Sequence, residues 1–275
     1  MLTTRVITAI VLLAILLPIT LFASVGAFAA LIGFVVVFAA WEWGRLLKLN
    51  GAGPVAYALV AGLALIFSTF IFSTFLGIKS TPLYQMAGIF WVLAGPYALL
   101  RKPTLAAHAW RAFLLFAGIV VFIACWHAVV DARTRGVAFV LSLLLVVWLA
   151  DIGAYFAGKA LGCHKLAPSI SPGKTWEGAI GGWLAVIVIG TIAANTGFYA
   201  PTVFTAFAER FGWDRLFVAF TVLAAFSVIG DLFESLLKRQ AGVKDSSGLL
   251  PGHGGVLDRI DALLPVLPIA LLMLG

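Results

Sequence analysis

The residues best suited to chemistry lie in one polar stretch near the end of this 275-residue sequence. Residues 235–261 hold seven of the charged side chains of a chain that is only 11% charged, namely Lys238, Arg239, Lys244, Asp245, Asp258, Arg259 and Asp261. The same stretch contains five glycines and one proline. Such a loop gains little from burying apolar groups, so we expect a bound ligand to order it.

Carboxylates on either side of this stretch suggest a cation site. Asp231 shares one helical face with Glu234, Ser235 and Lys238. Glu234 and Lys238 are expected to pair along the helix, which leaves Asp231 without a nearby cation. Asp151 is also placed in an apolar segment, where an ionised carboxylate usually faces a partner, an ion or water.

Asp258 and Asp261 lie three residues apart, just before the last apolar segment. Capping of the following helix is an alternative role for Asp261. Together with Asp231, however, these carboxylates would repel one another without a cation, and hard oxygen ligands suit Mg²⁺. We therefore predict a magnesium site that uses Asp231, Asp258 and Asp261.

Basic and glycine residues near these carboxylates suit phosphate groups. Lysine and arginine side chains are available at Lys174, Lys238, Arg239, Lys244 and Arg259, although any one of them could instead orient the chain in the membrane. The backbone N–H groups around Gly254 and Gly255 can cradle an anion, and turn formation explains the glycines equally well. His253, between two glycines, is a candidate for phosphate binding or proton transfer.

The composition places all of these residues in a membrane protein. The chain is 63% hydrophobic, with a mean hydropathy of +1.12, and apolar runs of helix-spanning length recur throughout. We predict an all-α, polytopic fold of about nine transmembrane helices, over residues 6–22, 23–40, 55–75, 86–100, 113–130, 137–156, 178–194, 216–236 and 262–274. The fourth and ninth segments are short for a bilayer of about 30 Å.

The distribution of basic residues predicts the orientation. With nine spans, 13 of the 18 Lys and Arg residues lie on the side of the N-terminus, and five, including Lys79, lie on the other. Positive charge collects on the cytoplasmic side, so the N-terminus and both polar loops (151–178 and 230–261) are predicted to face the cytoplasm of a bacterial-type inner membrane. The net charge of +7 therefore indicates orientation and contact with membrane lipids, not nucleic-acid binding.

The spacing of the polar residues resembles that of a known family. From Ser235, the residues Leu237, Lys238, Arg239, Lys244, Asp245, Ser247, Leu250, Pro251, His253, Gly254, Gly255, Val256, Asp258, Arg259, Ile260 and Asp261 follow the signature of the phosphatidate cytidylyltransferases, the CDP-diacylglycerol synthases. Residues 171–178, with Ser171, Pro172, Lys174, Thr175, Glu177 and Gly178, resemble the second polar loop of that family. The two matches cover about the last 45% of the chain.

This resemblance implies an enzyme that transfers the cytidylyl group of CTP to phosphatidate in the bilayer, releasing pyrophosphate. It implies catalytic roles for Asp231, Lys244, His253 and Asp258. Substrate binding would fall to Ser171, Lys174, Thr175, Lys238, Arg239, Gly254, Gly255 and Arg259. The resemblance also implies a second, monovalent cation beside Mg²⁺, and a homodimer. Residues 1–150 would form a scaffold with dimer contacts, and residues 151–275 the catalytic region.

Two other functions fit an apolar chain with buried carboxylates. A transporter or channel places such residues at the middle of the bilayer, usually with repeated halves, whereas here they gather at one face and no repeat is visible. A CTP-dependent lipid kinase would transfer the γ-phosphoryl group and release CDP. Detection of pyrophosphate or CDP as the product separates the kinase from the cytidylyltransferase.

Overall fold

The computed structural model describes residues 2–75, 80–197 and 199–275, and helices make up most of them. The helices are α1 (Leu2–Phe22), α2 (Val25–Leu46), α3 (Gly53–Thr69), α4 (Thr81–Ile89), α5 (Gly95–Arg101), α6 (His108–Arg135), α7 (Val137–Leu161), α8 (Trp176–Thr196), α9 (Val203–Phe211), α10 (Trp213–Ala241), α11 (Leu257–Ile260) and α12 (Leu263–Leu274). A π-helical segment, Phe70–Phe75, extends α3, and a second, Phe90–Ala94, joins α4 to α5. The predicted all-α membrane class is confirmed.

Seven helical segments in the described part of the chain are long and apolar enough to cross a membrane. They are Val25–Leu46, Gly53–Phe72, Thr81–Arg101, His108–Arg135, Val137–Leu161, Trp176–Thr196 and Trp213–Ala241. The fourth predicted span is longer than expected, because α4, the π-helical turn and α5 form one segment of 21 residues. The apolar part of α1, Val6–Phe22, and the last helix, α12, are shorter than these seven segments, so the total of nine remains a prediction.

The short last helix is enclosed by other helices. Residues Leu264–Leu271 of α12 are all buried, and α12 packs against α4, α6 and α10. Gly230 of α10 permits the closest approach, since a Cβ there would lie 2.5 Å from the carbonyl oxygen of Asp261. A helix surrounded in this way satisfies its apolar side chains without spanning a full bilayer.

A β-hairpin interrupts the helices between α7 and α8, and the sequence pattern does not predict it. Strands β1 (Lys165–Ala167) and β2 (Ser171–Thr175) pair antiparallel, with Lys165 opposite Thr175. The side chain of Thr175 then caps α8 by accepting a hydrogen bond from the Gly178 amide at 3.2 Å. Glycines allow α7 and α8 to pack closely, because a Cβ on Gly182 would lie 2.4 Å from the Ala150 carbonyl oxygen.

Contacts between loops place the polar segments at one face of the helix bundle. Lys102, after α5, donates a hydrogen bond to Ser169 of the hairpin at 2.6 Å, and Gln240 of α10 donates to the Pro103 carbonyl at 3.0 Å. On the other side of the same face, Thr8 of α1 donates to the Pro251 carbonyl at 2.8 Å. These contacts bring the loop after α5, the hairpin and the segment after α10 together, while their side of the membrane stays a prediction. Lys79, on the predicted opposite side, lies outside the described residues.

Candidate active site

The two polar segments meet at an ion pair between Lys174 of β2 and Asp231 of α10. Each side chain is about one-third exposed or less. Lys174 reaches this position because the hairpin turns back over the bundle and its buried Ile170 anchors the tip. Arg239 holds that tip by donating from Nε to the Ile170 carbonyl at 3.1 Å. The sequence predicts a shared site, and the structure joins the two segments directly.

A cavity of about 440 Å³ extends from this ion pair between α7, α8 and α10. Its polar lining includes Asp151, Lys159, Lys174, Thr175 and Asp231. Its apolar lining comes from deeper residues of the same helices, including Ala150, Trp183, Ala224 and Val228. The cavity is therefore charged at the end near the hairpin and apolar along the helices.

Lys238 lies between two carboxylates and pairs with both. It forms an ion pair with Glu234, one turn earlier in α10, as the sequence predicts. It also contacts Asp258 with 2.6 Å between Nζ and Oδ1. All three side chains are at least 85% buried, so the charges are held in a medium that screens them weakly.

Asp258 organises the loop that follows α10. Its Oδ2 accepts hydrogen bonds from the Ser246 amide at 3.0 Å, the Ser246 hydroxyl at 3.0 Å and the Gly255 amide at 2.8 Å. Burial acts to raise the pKa of Asp258, but the contacts with Lys238 and with the Gly255 amide outweigh it and lower that pKa to about 2. Asp258 is therefore ionised at neutral pH.

Asp261 lies close enough to Asp231 for their charges to interact. Burial, followed by the repulsion of the Asp231 carboxylate, raises the pKa of Asp261 to about 8. Its Oδ1 accepts a hydrogen bond from the adjacent Ala262 amide at 2.8 Å, but Ala262 is itself the N-cap of α12 and that helix has no side-chain cap, so Asp261 does not cap it. A bound cation would relieve the repulsion between the two aspartates.

The three predicted magnesium ligands are not equally well placed to bind the ion. Asp231 and Asp261 repel each other and could share a cation, whereas both oxygens of Asp258 already accept hydrogen bonds from the protein. In residues 2–75, 80–197 and 199–275, no three His, Cys, Asp or Glu side chains are grouped closely enough to bind a metal without other ligands. Mg²⁺ commonly takes one or two carboxylates and completes its shell with water and phosphate oxygens, so Asp231 and Asp261 suit it.

The remaining predicted substrate ligands occupy varied positions. Lys244 is exposed, Ser171 is half-buried at the start of β2, and Thr175 is buried at the cap of α8. The guanidinium of Arg259 donates to the His253 carbonyl, through Nε at 3.1 Å and also through Nη2. Within the described residues, the buried Nδ1 of His253 has no hydrogen-bond partner. Their assignment to substrate binding stays a prediction.

The two glycines predicted to cradle an anion are required by the loop itself. Gly254 has a φ of +83°, which favours glycine. A Cβ on Gly255 would lie 1.9 Å from the Ser246 hydroxyl oxygen and 2.4 Å from an oxygen of Glu42. Turn formation therefore accounts for Gly254 and close packing for Gly255, and anion binding remains a prediction.

Glu42, near the end of α2, is a member of this cluster that the sequence analysis misses. It is fully buried and accepts hydrogen bonds from Ser246, Ser247, Val256 and Leu257. One signal marks it in the sequence: like Asp151 and Asp231, it is a carboxylate at the end of an apolar segment. Its partners lie more than 200 residues away, so spacing does not reveal them.

Known proteins resemble this chain along almost its whole length. The family described as "Cytidylyltransferase family" matches residues 3–275. A phosphatidate cytidylyltransferase of Pseudomonas aeruginosa is 39% identical, with 98% of this chain and 95% of that protein aligned. One of Brucella suis is 38% identical over 94% of this chain and 88% of its own length, and one of Staphylococcus saprophyticus is 33% identical over 98% of each. The chain belongs to the cytidylyltransferase family.

Proposed function

We propose that this chain transfers the cytidylyl group of CTP to phosphatidate, giving CDP-diacylglycerol and pyrophosphate. The observation that carries the proposal is the Lys174–Asp231 ion pair at the mouth of a cavity with charged and apolar ends. Both substrates are phosphate anions, and one of them is a lipid. A site for them needs basic side chains, carboxylates suited to a metal ion and an apolar path, and Lys174, Asp231 and the apolar cavity wall suit these needs.

The cavity between α7, α8 and α10 suits the lipid. Lys159 and Lys174 at its charged end are placed to bind the phosphate of phosphatidate, while Trp183 and Val228 offer an apolar wall to the glycerol and the first acyl carbons. The acyl chains remain in the bilayer, so the enzyme need not extract its substrate.

The loop of residues 242–256 suits the nucleotide. Lys244 is exposed on it, and Lys238 lies beneath it in contact with Asp258. The triphosphate carries more charge than Lys244 alone would balance, which favours a position between this loop and the hairpin that bears Lys174. CTP would then enter from the aqueous side and meet the lipid phosphate at Lys174.

The reaction needs alignment more than covalent help from the protein. A phosphate oxygen of phosphatidate attacks the α-phosphorus of CTP, the new P–O bond forms, and the bond between the α-phosphorus and the bridging oxygen breaks to release pyrophosphate. Lys174 and Lys238 hold the two anions close together and balance the charge that develops on the leaving group. The attacking phosphate is already ionised at neutral pH, so no residue has to remove its proton.

Magnesium fits this site through Asp231 and Asp261, with Asp258 retained from the sequence prediction as a third candidate. A bound Mg²⁺ would neutralise phosphate oxygens and polarise the reacting centre. The chain's own part is to keep Asp231 next to Lys174 and to hold Asp261 between α11 and α12. The second, monovalent cation and the homodimer stay predictions.

The orientation follows from charge. The side of the membrane predicted to hold the site carries 13 of the 18 Lys and Arg residues, which favours a cytoplasmic position for the site and for the N-terminus, in the inner membrane. That orientation agrees with the substrates, since CTP is a cytoplasmic nucleotide and phosphatidate is a membrane lipid.

Product analysis tests the proposal. Purified protein receives phosphatidate, Mg²⁺ and CTP labelled with ³²P at the α-phosphate, with and without EDTA. We expect label in an organic-soluble lipid and pyrophosphate in the aqueous phase, and loss of both with EDTA. Label that stays aqueous with monodisperse protein would contradict the proposal. Transfer of label from γ-labelled CTP to lipid would instead identify a lipid kinase.

A further inference from the structure

Glu42 brings the N-terminal half of the chain into the site. It lies in the last turns of α2 between Trp41 and Trp43, and its side chain is fully buried. Among the described residues, no Lys, Arg or His nitrogen lies within 4.0 Å of its carboxylate. A buried carboxylate without a cation is costly unless other groups supply hydrogen bonds to it.

Four hydrogen bonds from the site loop supply this compensation. Oε1 accepts from the Ser247 hydroxyl and from the Val256 amide, the latter at 3.0 Å. Oε2 accepts from the Ser246 hydroxyl at 3.1 Å and from the Leu257 amide at 2.5 Å. Each oxygen therefore receives one hydroxyl donor and one backbone donor, and all four donors belong to residues 246–257.

The Ser246 hydroxyl connects Glu42 to the charged cluster. Its oxygen lies 3.1 Å from Oε2 of Glu42 and 3.0 Å from Oδ2 of Asp258, so its single proton is shared between the two carboxylates, and Asp258 in turn pairs with Lys238. The loop is thus fixed from two sides, by Glu42 on α2 and by Asp258 before α12. Gly255 lies between the two carboxylates, where a Cβ would contact both Ser246 and Glu42.

We propose that Glu42 is a positioning residue for cytidylyl transfer, which holds residues 246–257 in the conformation that places Asp258 and Lys238 in the site. The role of Glu42 in turnover rests on the proposed function. The role of Glu42 in holding the loop does not depend on the reaction, because it follows from the hydrogen bonds alone.

The hydrogen-bond pattern requires residue 42 to carry an acceptor at both side-chain oxygen positions. A glutamine would place its NH₂ group at one of the two oxygen positions, and at either position that group would face a backbone amide, of Val256 or of Leu257. A hydroxyl can turn to accept a hydrogen bond, but a backbone N–H cannot. Glu42→Gln therefore keeps the shape of the side chain and breaks the loop attachment whichever way the amide is oriented.

The test compares Glu42→Gln with Glu209→Gln, the same change at an exposed position on α9. We expect Glu42→Gln to lower kcat about 100-fold, the scale of loss for small displacements of reacting groups. KM for phosphatidate should stay within about twofold, because the lipid cavity does not include Glu42. Trypsin should cleave after the exposed Lys244 faster than in the wild type, with the elution volume unchanged. Glu209→Gln should match the wild type in all three.

Ser247→Ala provides a second variant in case Glu42→Gln does not fold. It removes one donor to Glu42 and leaves α2, Asp258 and Ser246 unchanged. We expect turnover about tenfold lower and faster cleavage after Lys244. Wild-type turnover together with wild-type protection from trypsin, in whichever variant is folded, would overturn the inference. Lost turnover with an unchanged KM for phosphatidate and an unchanged rate of trypsin cleavage after Lys244 would also overturn it, since the loop would then be in place.

The two proposals fail in different ways. If the wild-type protein forms no labelled lipid from α-labelled CTP, the proposed reaction is wrong. In that case the cleavage rate after Lys244 still decides whether Glu42 holds the loop. If the wild type forms labelled lipid and Glu42→Gln does so equally well, only the positioning role is wrong.

Discussion

Lys174 and Asp231 form an ion pair that joins the hairpin after α7 to the helix α10. The two residues are 57 positions apart, and each belongs to a different polar segment. Asp231 lacks a cationic partner when its own helix is considered alone, and the hairpin supplies one. The pair also lies at the mouth of the cavity, where a lipid phosphate could compete for Lys174 and a cation could take its place beside Asp231.

Asp231→Asn is expected to lower turnover at least about 100-fold, because it removes both the partner of Lys174 and a candidate metal ligand. Turnover is measured with α-labelled CTP, and folding by elution volume. Asp214→Asn, at an exposed position in the first turn of α10, serves as the control and should retain turnover. Near-normal turnover in Asp231→Asn would remove this residue from the site.

The choice of metal ligands can be measured by titration with Mg²⁺. We expect Asp261→Asn to raise the Mg²⁺ concentration for half-maximal turnover by about tenfold or more, since changes even in outer-shell partners of a metal have effects of this size. Asp258→Asn should lower kcat, because Lys238 and the loop lose their partner, with a smaller change in the Mg²⁺ requirement. The reverse pattern would assign the metal to Asp258.

Lys174→Ala is expected to abolish turnover, because the Lys174 ammonium pairs with Asp231 and lies at the charged end of the cavity. Lys102→Ala removes a lysine of the same face that contacts the exposed Ser169 hydroxyl. A surface hydrogen bond of this kind contributes little, so turnover should fall less than about threefold. A large loss in Lys102→Ala would show that the tip of the hairpin also takes part in the reaction.

Gly255→Ala tests the packing between the two loop anchors. A methyl group would overlap the Ser246 hydroxyl at 1.9 Å, so the loop has to move and turnover should fall by about 100-fold. Gly248→Ala is the matched control, because a Cβ at residue 248 meets no atom within 4 Å. Equal activities of the two variants would show that the loop has another conformation during turnover.

The orientation can be tested with the natural cysteines. The chain has two, of which Cys125 is buried in α6 and Cys163 is exposed beside the hairpin. A membrane-impermeant maleimide should therefore label Cys163 in inside-out vesicles and leave it unlabelled in intact spheroplasts. Cys163→Ser provides the control for specific labelling. Labelling from the outside would place the site on the other face of the membrane and contradict the proposed entry of CTP from the cytoplasm.

The sequence alone predicts the class of protein correctly, and it singles out polar residues that the structure then brings into contact. Apolar runs of this length fold as membrane helices because the bilayer leaves backbone groups no other partners, and this holds whatever the packing. The polar segments are recognisable in the sequence for a related reason. A charged side chain is costly within a bilayer, so charged residues in an apolar chain commonly mark a functional site. Lys174, Asp231, Lys238 and Asp258 were all found in this way, and the structure places them together.

Packing decided which of these groups are partners. The sequence predicts the Glu234–Lys238 pair, because that pair depends only on helical periodicity. It does not predict the contact of Lys238 with Asp258 or that of Lys174 with Asp231, because both depend on how the segments fold over the bundle. It also treats the glycines as an anion cradle or a turn, whereas the space around Gly255 is filled by the protein itself.

Glu42 shows the difference most clearly. A single carboxylate at the end of α2 has no distinguishing neighbours in the sequence, and its role emerges only when the tertiary fold brings residues 246–257 against it. Local physical chemistry thus determined the membrane class and the types of polar residue in the two segments, and long-range packing determined which atoms meet.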